Sequence, residues 1–350
     1  MKRRITGAAL FGLGLLCLLL AGALVWVIVP SQRKVPLDLV PPDVTVEGQN
    51  ASFVQAKQLP DGSLQVVVEN AGLRSRTGIK PDFEAAAGLT GDLADNTLIW
   101  NVYHATDRAD TGEAINRSES RIALDRVSGA AVPWEGQCHN ETKEDPSQNI
   151  ACVPGNVQFE GQLYLFPFGT QKTTYQYWDS SLHHALPMEY QAEEEFNNIP
   201  AYRFVQQVPQ QVVDMNPQQL SALLGFLAPG ATTGTVNYQA NRTLWVEPQT
   251  GAIVGYREQQ RRELVPNSGS PVVIFDADLQ YDQATLDVVG EQASNGRSQL
   301  LLLGRYLPIG LVVLGIALLV AGFLIARRNR PRRESAPAHA KPEPTPVPQH

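Results

Sequence analysis

The sequence predicts a mainly β, antiparallel, barrel-like domain with short helical insertions, held between two membrane-spanning helices. Three observations lead there. Two long apolar runs carry no charge. The segment between them is built from β-branched and aromatic runs with period-two alternation. Few stretches between the apolar runs have helical spacing.

Residues 1–6 are a short basic N-terminus, expected to be cytoplasmic, with Lys2, Arg3 and Arg4. The first span follows at residues 7–29, GAALFGLGLLCLLLAGALVWVIV. As a helix it would be about 34 Å long, enough for a hydrocarbon core of about 30 Å. A cleaved leader has the same basic start. The run is longer than a leader core, however, and no small-x-small cleavage site follows it, so a retained helix is expected. Residues 30–42 form a Pro-rich stalk, PSQRKVPLDLVPP. The second span is expected at 307–326, LPIGLVVLGIALLVAGFLIA. Arg327, Arg328, Arg330, Arg332 and Arg333 follow it, and 327–350 reads as a basic, Pro-rich, disordered cytoplasmic tail. Positive charge at both ends places both termini in the cytoplasm of an inner-membrane protein and residues 43–305 outside it.

That β-rich domain is acidic. The chain has 35 Asp and Glu against 28 Lys and Arg, and the terminal segments take a large part of the basic share. Nucleic acid is therefore excluded as a broad electrostatic partner. Within the domain, Ser63–Asn70 and Thr97–Thr106 read as short strands. In Val272–Leu286, Phe275, Ala277, Leu279 and Tyr281 alternate with Asp276, Asp278 and Gln280. The three aspartates Asp276, Asp278 and Asp282 lack the Gly and closing Glu of a calcium loop, so they are read as a solvated strand face. Pro217–Leu227 is the best helix, capped by Asn216, and a second short one is expected near Pro81–Gly88.

Two stretches resemble each other. Ile122–Val132 (IALDRVSGAAV) and Leu244–Val254 (LWVEPQTGAIV) each place an acid, then Ser-Gly or Thr-Gly, between apolar strands. Both read as hairpins with Gly129 and Gly251 at positive φ, and convergence is the simpler account.

Cys138 and Cys152 form the only pair available within the domain, and in an oxidising compartment they are expected to be a structural disulfide. No Gly-x-Ser-x-Gly, His-Glu-x-x-His or phosphate-binding loop occurs. His183 and His184 are adjacent and would point to opposite faces of a strand. The chain is thus expected to be non-enzymatic, with no catalytic, cofactor or metal site. Asn50, Asn116, Asn140 and Asn241 begin glycosylation acceptor patterns, relevant only where the enzyme that uses them is present.

Further motifs carry a resemblance. They are Arg121–Arg126 with Ser128-Gly129, then Gly161–Phe168 (GQLYLFPF), Thr174-Tyr175, Tyr177-Trp178-Asp179, Ile199–Phe204 (IPAYRF) and Leu244–Gly251 (LWVEPQTG). Together they resemble the actinobacterial membrane proteins of the PorA-like family, over nearly the whole chain. The porin label of that family is set aside at this stage, because an outer-membrane barrel has lipid-facing strands and no flanking helices. The layout is also similar to that of scavenger-receptor class B proteins, whose β domain carries a lipid tunnel. That likeness implies a domain that could enclose a tunnel. Tyr164, Phe166, Phe168, Tyr175, Tyr177 and Trp178 would line it, with Leu220, Leu223, Leu224 and Leu227 near its mouth. The function expected from this is binding or transfer of a lipid or lipoglycan in envelope assembly. The alternative is a scaffold for envelope glycosyltransferases, and a cryptic hydrolase or transferase or a porin ranks lower.

Overall fold

The computed structural model describes residues 2–142 and 152–327. The loop inside the cysteine pair and the tail beyond 327 lie outside the described residues. The chain divides into two units, residues 1–28 with 303–350, and residues 29–302.

The first unit is a helical hairpin. Helix α1 (Lys2–Ala23) continues through a π turn at Leu24–Ile28, and the last helix, numbered α6 below (Leu307–Arg327), follows a π turn at Leu302–Tyr306. Both are long and apolar enough to cross a membrane, and most of their large apolar side chains are exposed. The least exposed positions recur by threes and fours, Gly7, Leu10, Gly14, Cys17, Ala21 and Leu24 on one helix and Pro308, Leu311, Gly315, Leu318, Gly322 and Ile325 on the other. This is a 3.5-residue seam. Antiparallel register sets Gly7 against Gly322 and Gly14 against Gly315. A methyl group on Gly14 would stand 2.8 Å from the Gly315 carbonyl oxygen, and one on Gly322 2.8 Å from that of Gly7. Apolar spans gain nothing from water exclusion inside lipid, so close backbone approach and dispersion hold them together.

The second unit begins with α2 (Val29–Gln32) and is dominated by one antiparallel sheet of eleven strands that curves into a half-barrel. Its strands are β1 (Val44–Gln58), β2 (Leu64–Pro81), β3 (Thr97–Arg108), β4 (Ala114–Asp125), β5 (Cys138–Thr142), β6 (Tyr175–Asp179), β7 (His184–Phe196), β8 (Ile199–Val213), β9 (Gly234–Val246), β10 (Ile253–Pro266) and β11 (Val272–Tyr281). Spatial order is β5-β4-β3-β2-β1-β11-β10-β9-β8-β7-β6. It is two five-stranded meanders joined through β11.

The strands are longer than expected. β2 has 18 residues, and β1 and β8 have 15 each. Glycines that suggest turns are absorbed by the sheet. Gly48 sits at a register shift of β1. Gly78 leaves room for the Tyr103 ring, whose hydroxyl would lie 2.0 Å from any Cβ there. β11 ends at Tyr281, before the expected Leu286, because Asp282 caps a helix by accepting from the Thr285 amide at 2.8 Å. That helix, α5 (Gln283–Leu301), was not foreseen. Its glycines and polar residues hide its pattern, yet Thr285, Val289, Gly290 and Ala293 form a buried stripe. The short α3 (Phe83–Ala87) and α4 (Pro217–Leu227) fall where expected, with Asn216 accepting from the Gln218 amide at 2.9 Å.

Alternation in β11 is as read. Phe275, Ala277 and Leu279 pack in a core cluster, while Asp276 and Asp278 pair on the outer face with Arg261 (2.6 Å) and Arg257 (2.5 Å). Cys138 and Cys152 are disulfide-bonded, with Cα atoms 5.6 Å apart.

Candidate functional site

One face of the sheet is covered in part by chain packed against both meanders. An extended strap, residues 161–170, bridges the two meanders. Gln162 pairs with Ala130 on one side and with Tyr177 of β6 on the other. Further along, the Phe166 amide donates to the Gly251 carbonyl at 2.9 Å. The strap therefore runs from the turn after β4 to the turn after β9. Its side chains divide accordingly. Leu163 packs with Leu98, Trp100, Val102, Ile122 and Trp178. Phe166 packs with Tyr177, Met188, Phe204, Leu244 and Val246.

The aromatic run read as two strands is therefore the strap, which forms only isolated bridges, followed by β6. Pro167 and the positive φ of Gly161 (64°) and Gly169 (70°) break the first run. Phe166, Tyr177 and Trp178 are buried, and Tyr164, Phe168 and Tyr175 are half-buried against the same clusters. Leu220, Leu223, Leu224 and Leu227 belong to a third cluster under α4, with Val208, Val213, Val236, Tyr238 and Leu264. The predicted residues thus fall into three separate cores.

Between these cores lies a polar file that sequence reasoning missed. Arg242 of β9 is buried, and its guanidinium reaches Glu258 of β10 at 2.5 Å, Asp179 of β6 at 3.4 Å and the Gln206 side-chain oxygen of β8. Tyr238 donates to Asp179 at 2.7 Å, and Tyr256 donates to Glu258. Asp179 also accepts from the Ser181 and Leu182 amides at 2.9 and 3.0 Å. Burial acts against the Arg242 charge, but Glu258 and its neighbours outweigh it and hold the guanidinium pKa above its usual value. Burial pushes the Tyr177 hydroxyl up to about 12 and raises Tyr238 and Tyr256 as well. These phenols stay protonated and act as donors. Each carboxylate is committed to the guanidinium or to amides, so the arrangement ties β6 to β8, β9 and β10 rather than moving protons. Arg242, Asp179, Gln206 and Glu258 lie far apart in sequence. Their only signal is a charged or amide side chain at an inward position of an alternating strand.

His183 lies in the β6–β7 turn at φ 53°, and His184 opens β7 with its Nδ1–H donating to the Leu182 carbonyl at 3.0 Å. No group of three metal-ligating side chains occurs among the described residues.

A β half-barrel in a chain that also carries a two-helix hairpin of membrane-spanning length defines a membrane protein with a folded β domain. The chain belongs to the family described as Porin PorA, which it matches over residues 6–324. It is similar to two proteins named Porin PorA. One, from Corynebacterium resistens, is 23% identical, covering 94% of this chain and 98% of that protein. The other, from Corynebacterium amycolatum, is 21% identical, covering 93% and 100%. Among solved structures, Rv2717c from M. tuberculosis aligns with 69% of this chain and 92% of its own, at 6% identity and a TM-score of 0.22, too low to support an argument.

These matches correct the expected function. A lipid- or lipoglycan-transfer protein, with a glycosyltransferase scaffold as alternative, was ranked above a porin. The family and both relatives carry the porin name. The two flanking helices and the strand pattern argue against an outer-membrane barrel, but they do not argue against the porin family to which the chain belongs.

Proposed function

We propose that the protein is a porin-family component of a cell envelope that passes small polar solutes or ions through the membrane its two helices cross. The observation that carries this is the family match over residues 6–324, which takes in both spans and the β domain. In this reading both termini are cytoplasmic, the membrane is an inner one and the β domain lies outside it, an arrangement supported by the basic residues that flank both spans. The half-barrel is built as a water-facing domain. Its interior holds the apolar clusters, and its outer face carries pairs such as Arg257–Asp278 and Arg261–Asp276. A membrane barrel has the opposite pattern. In this reading the bilayer is crossed by α1 and α6. The role is non-catalytic and uses no cofactor.

Purified full-length protein in a planar phospholipid bilayer should give stepwise conductance that is absent from mock preparations. Folded protein that inserts and stays electrically silent over a hundredfold range of dose would remove the proposal.

A further inference from the structure

Strand β8 reads IPAYRFVQQVPQQVV, with Pro209 inside it. Proline has no N–H for a sheet ladder and is tolerated within a strand at a bulge. The register shows that bulge. Val208 stands opposite Ala240, and Gln211 opposite Tyr238, so β8 has one residue more than β9 between them. An extra residue bends the strand that carries it. Beside the bend, an open cleft of about 370 Å³ crosses β8 to β11. Two polar rows line it. Asn241 stands opposite Gln259, which stands opposite Asp278, and Gln239 stands opposite Arg261, which stands opposite Asp276. With strands about 4.8 Å apart, a path from β8 to β11 is about 14 Å long.

The charges of this cleft are already paired. Arg261 holds Asp276 at 2.6 Å and Glu263 at 2.7 Å, and Arg257 holds Asp278 at 2.5 Å. No cation is left over for an anionic ligand, and the two aspartates are committed to arginines. The amides are different. Gln210, Gln239 and Asn241 are exposed, and their side chains bond to no other described residue. Gln259 uses one N–H on Asp278, at 3.2 Å. Each amide offers two donors and an acceptor. Such groups, fixed on rigid strands, match a neutral ligand dense in hydroxyls, each of which both donates and accepts. A peptide meets a sheet differently, by adding a strand at its edge. Strands β8 to β11 are interior strands with a neighbour on both sides, so they have no free ladder to offer. We propose that the cleft binds a neutral saccharide chain laid across β8 to β11. The proposal uses the outer face of the β domain alone and stands apart from the porin reading.

The test is saturation-transfer NMR on full-length protein in phosphatidylcholine nanodiscs, which carry no sugar. The probes are neutral hexasaccharides of glucose, mannose, galactose and arabinose, with polygalacturonate and a Ser-Gly hexapeptide beside them. At least one neutral hexasaccharide should bind saturably, with the same affinity at low and high salt, because the contacts carry no net charge. Replacing both Gln239→Ala and Asn241→Ala should weaken that binding about tenfold or more. Gln210→Ala should weaken it less. The melting temperature should stay that of the parent chain in each case, since these side chains hold no other part of the fold. Conductance in a planar bilayer should also be unchanged in the double variant, so loss of sugar binding and loss of the porin reading are told apart. Failure of every neutral hexasaccharide to bind would overturn the proposal. Binding that survives both variants would remove it from this cleft, and binding of the acidic glycan or the peptide alone would overturn the ligand class.

Discussion

The turn after β4 and the turn after β9 are the same object in two settings. In the first, Asp125 accepts from the amides of Val127 (3.1 Å) and Ser128 (2.6 Å) and from the Ser128 hydroxyl (2.8 Å). In the second, Glu247 accepts from the amides of Gln249 (3.1 Å) and Thr250 (2.8 Å) and from the Thr250 hydroxyl (2.8 Å). Gly129 and Gly251 each donate to the carbonyl of the acid at 2.9 Å, at φ 69° and 74°. Ala130 and Ala252 each donate 3.3 Å to the turn hydroxyl. Only the surroundings differ. Asp125 is half-buried, whereas Glu247 is fully buried and has Arg297 of α5 at 3.4 Å. The strap also lies closer to the second turn. A short motif thus sets the bonding of a turn, and tertiary burial sets what each bond is worth.

Adding one methyl group to each glycine should separate the turns most. At Gly251 a Cβ would lie 2.0 Å from the Phe166 carbonyl oxygen, and at Gly129 it would lie 2.9 Å from the Leu165 Cβ. Both positions also carry the left-handed backbone penalty of about 1 kcal/mol or more. Gly251→Ala should cost about 4 kcal/mol or more and Gly129→Ala about 2, read as the difference in melting temperature of the full-length protein. Equal losses would show that the strap is not seated on the second turn as described.

Removing the acids should be the next largest contrast. Glu247→Ala leaves two part-buried amides and a hydroxyl without their buried acceptor and removes the ion-pair partner of Arg297, so about 3 kcal/mol is expected. Asp125→Ala leaves a similar set nearer to water, and about 1 to 2 kcal/mol is expected. If the two cost the same, burial is not what distinguishes the turns. Ser128→Ala and Thr250→Val remove the same bonds from the hydroxyl side, and each should cost about 1 kcal/mol.

Much of this comparison was legible in the sequence and its most useful part was not. The shared pattern of acid, hydroxyl and glycine marks both hairpins, because local bonds between residues two to five apart leave a local signature. The spans, the cysteine pair and the alternation of β11 were readable for the same reason. Nothing local says that both turns close on one strap. Leu163 and Phe166 look alike as apolar residues in an extended run, yet they enter different cores because the strap crosses between two meanders. The pairing of Gly7 with Gly322 and of Gly14 with Gly315 leaves no local signal, because the glycines on each helix are seven apart and their partners lie some three hundred residues away. Helix α5 was missed because its stripe is made of small residues that carry little hydrophobic signal.

The smallest effect bears on the strands that lead into the two turns. By register, Val102 and His104 of β3 stand opposite Ser120 and Ser118, as Gln206 and Val208 of β8 stand opposite Arg242 and Ala240. The second half therefore carries its inward polar groups at Gln206 and Arg242, with Val208 beyond them, where the first half has His104. The His104 ring is held by the Thr77 hydroxyl at 2.8 Å and approaches the Tyr164 hydroxyl of the strap at 3.4 Å. Burial, with His139 nearby, lowers its pKa from 6.5 to about 4. Burial also lowers His139, which faces Glu119, Glu141 and His183. A histidine with a depressed folded pKa favours the unfolded chain when it takes up a proton. Its contribution is complete above pH 6.5 and is lost as pH falls from there toward 4. The full shift would correspond to roughly 3 kcal/mol, and partial solvent contact reduces the expectation to about 1 to 2. In His104→Gln the melting temperature should fall less between pH 6.5 and 4 than in the parent chain. Val208→His should bring a comparable acid sensitivity into the second half. An unchanged slope in both variants would place the acid response elsewhere, with His139 the first residue to replace.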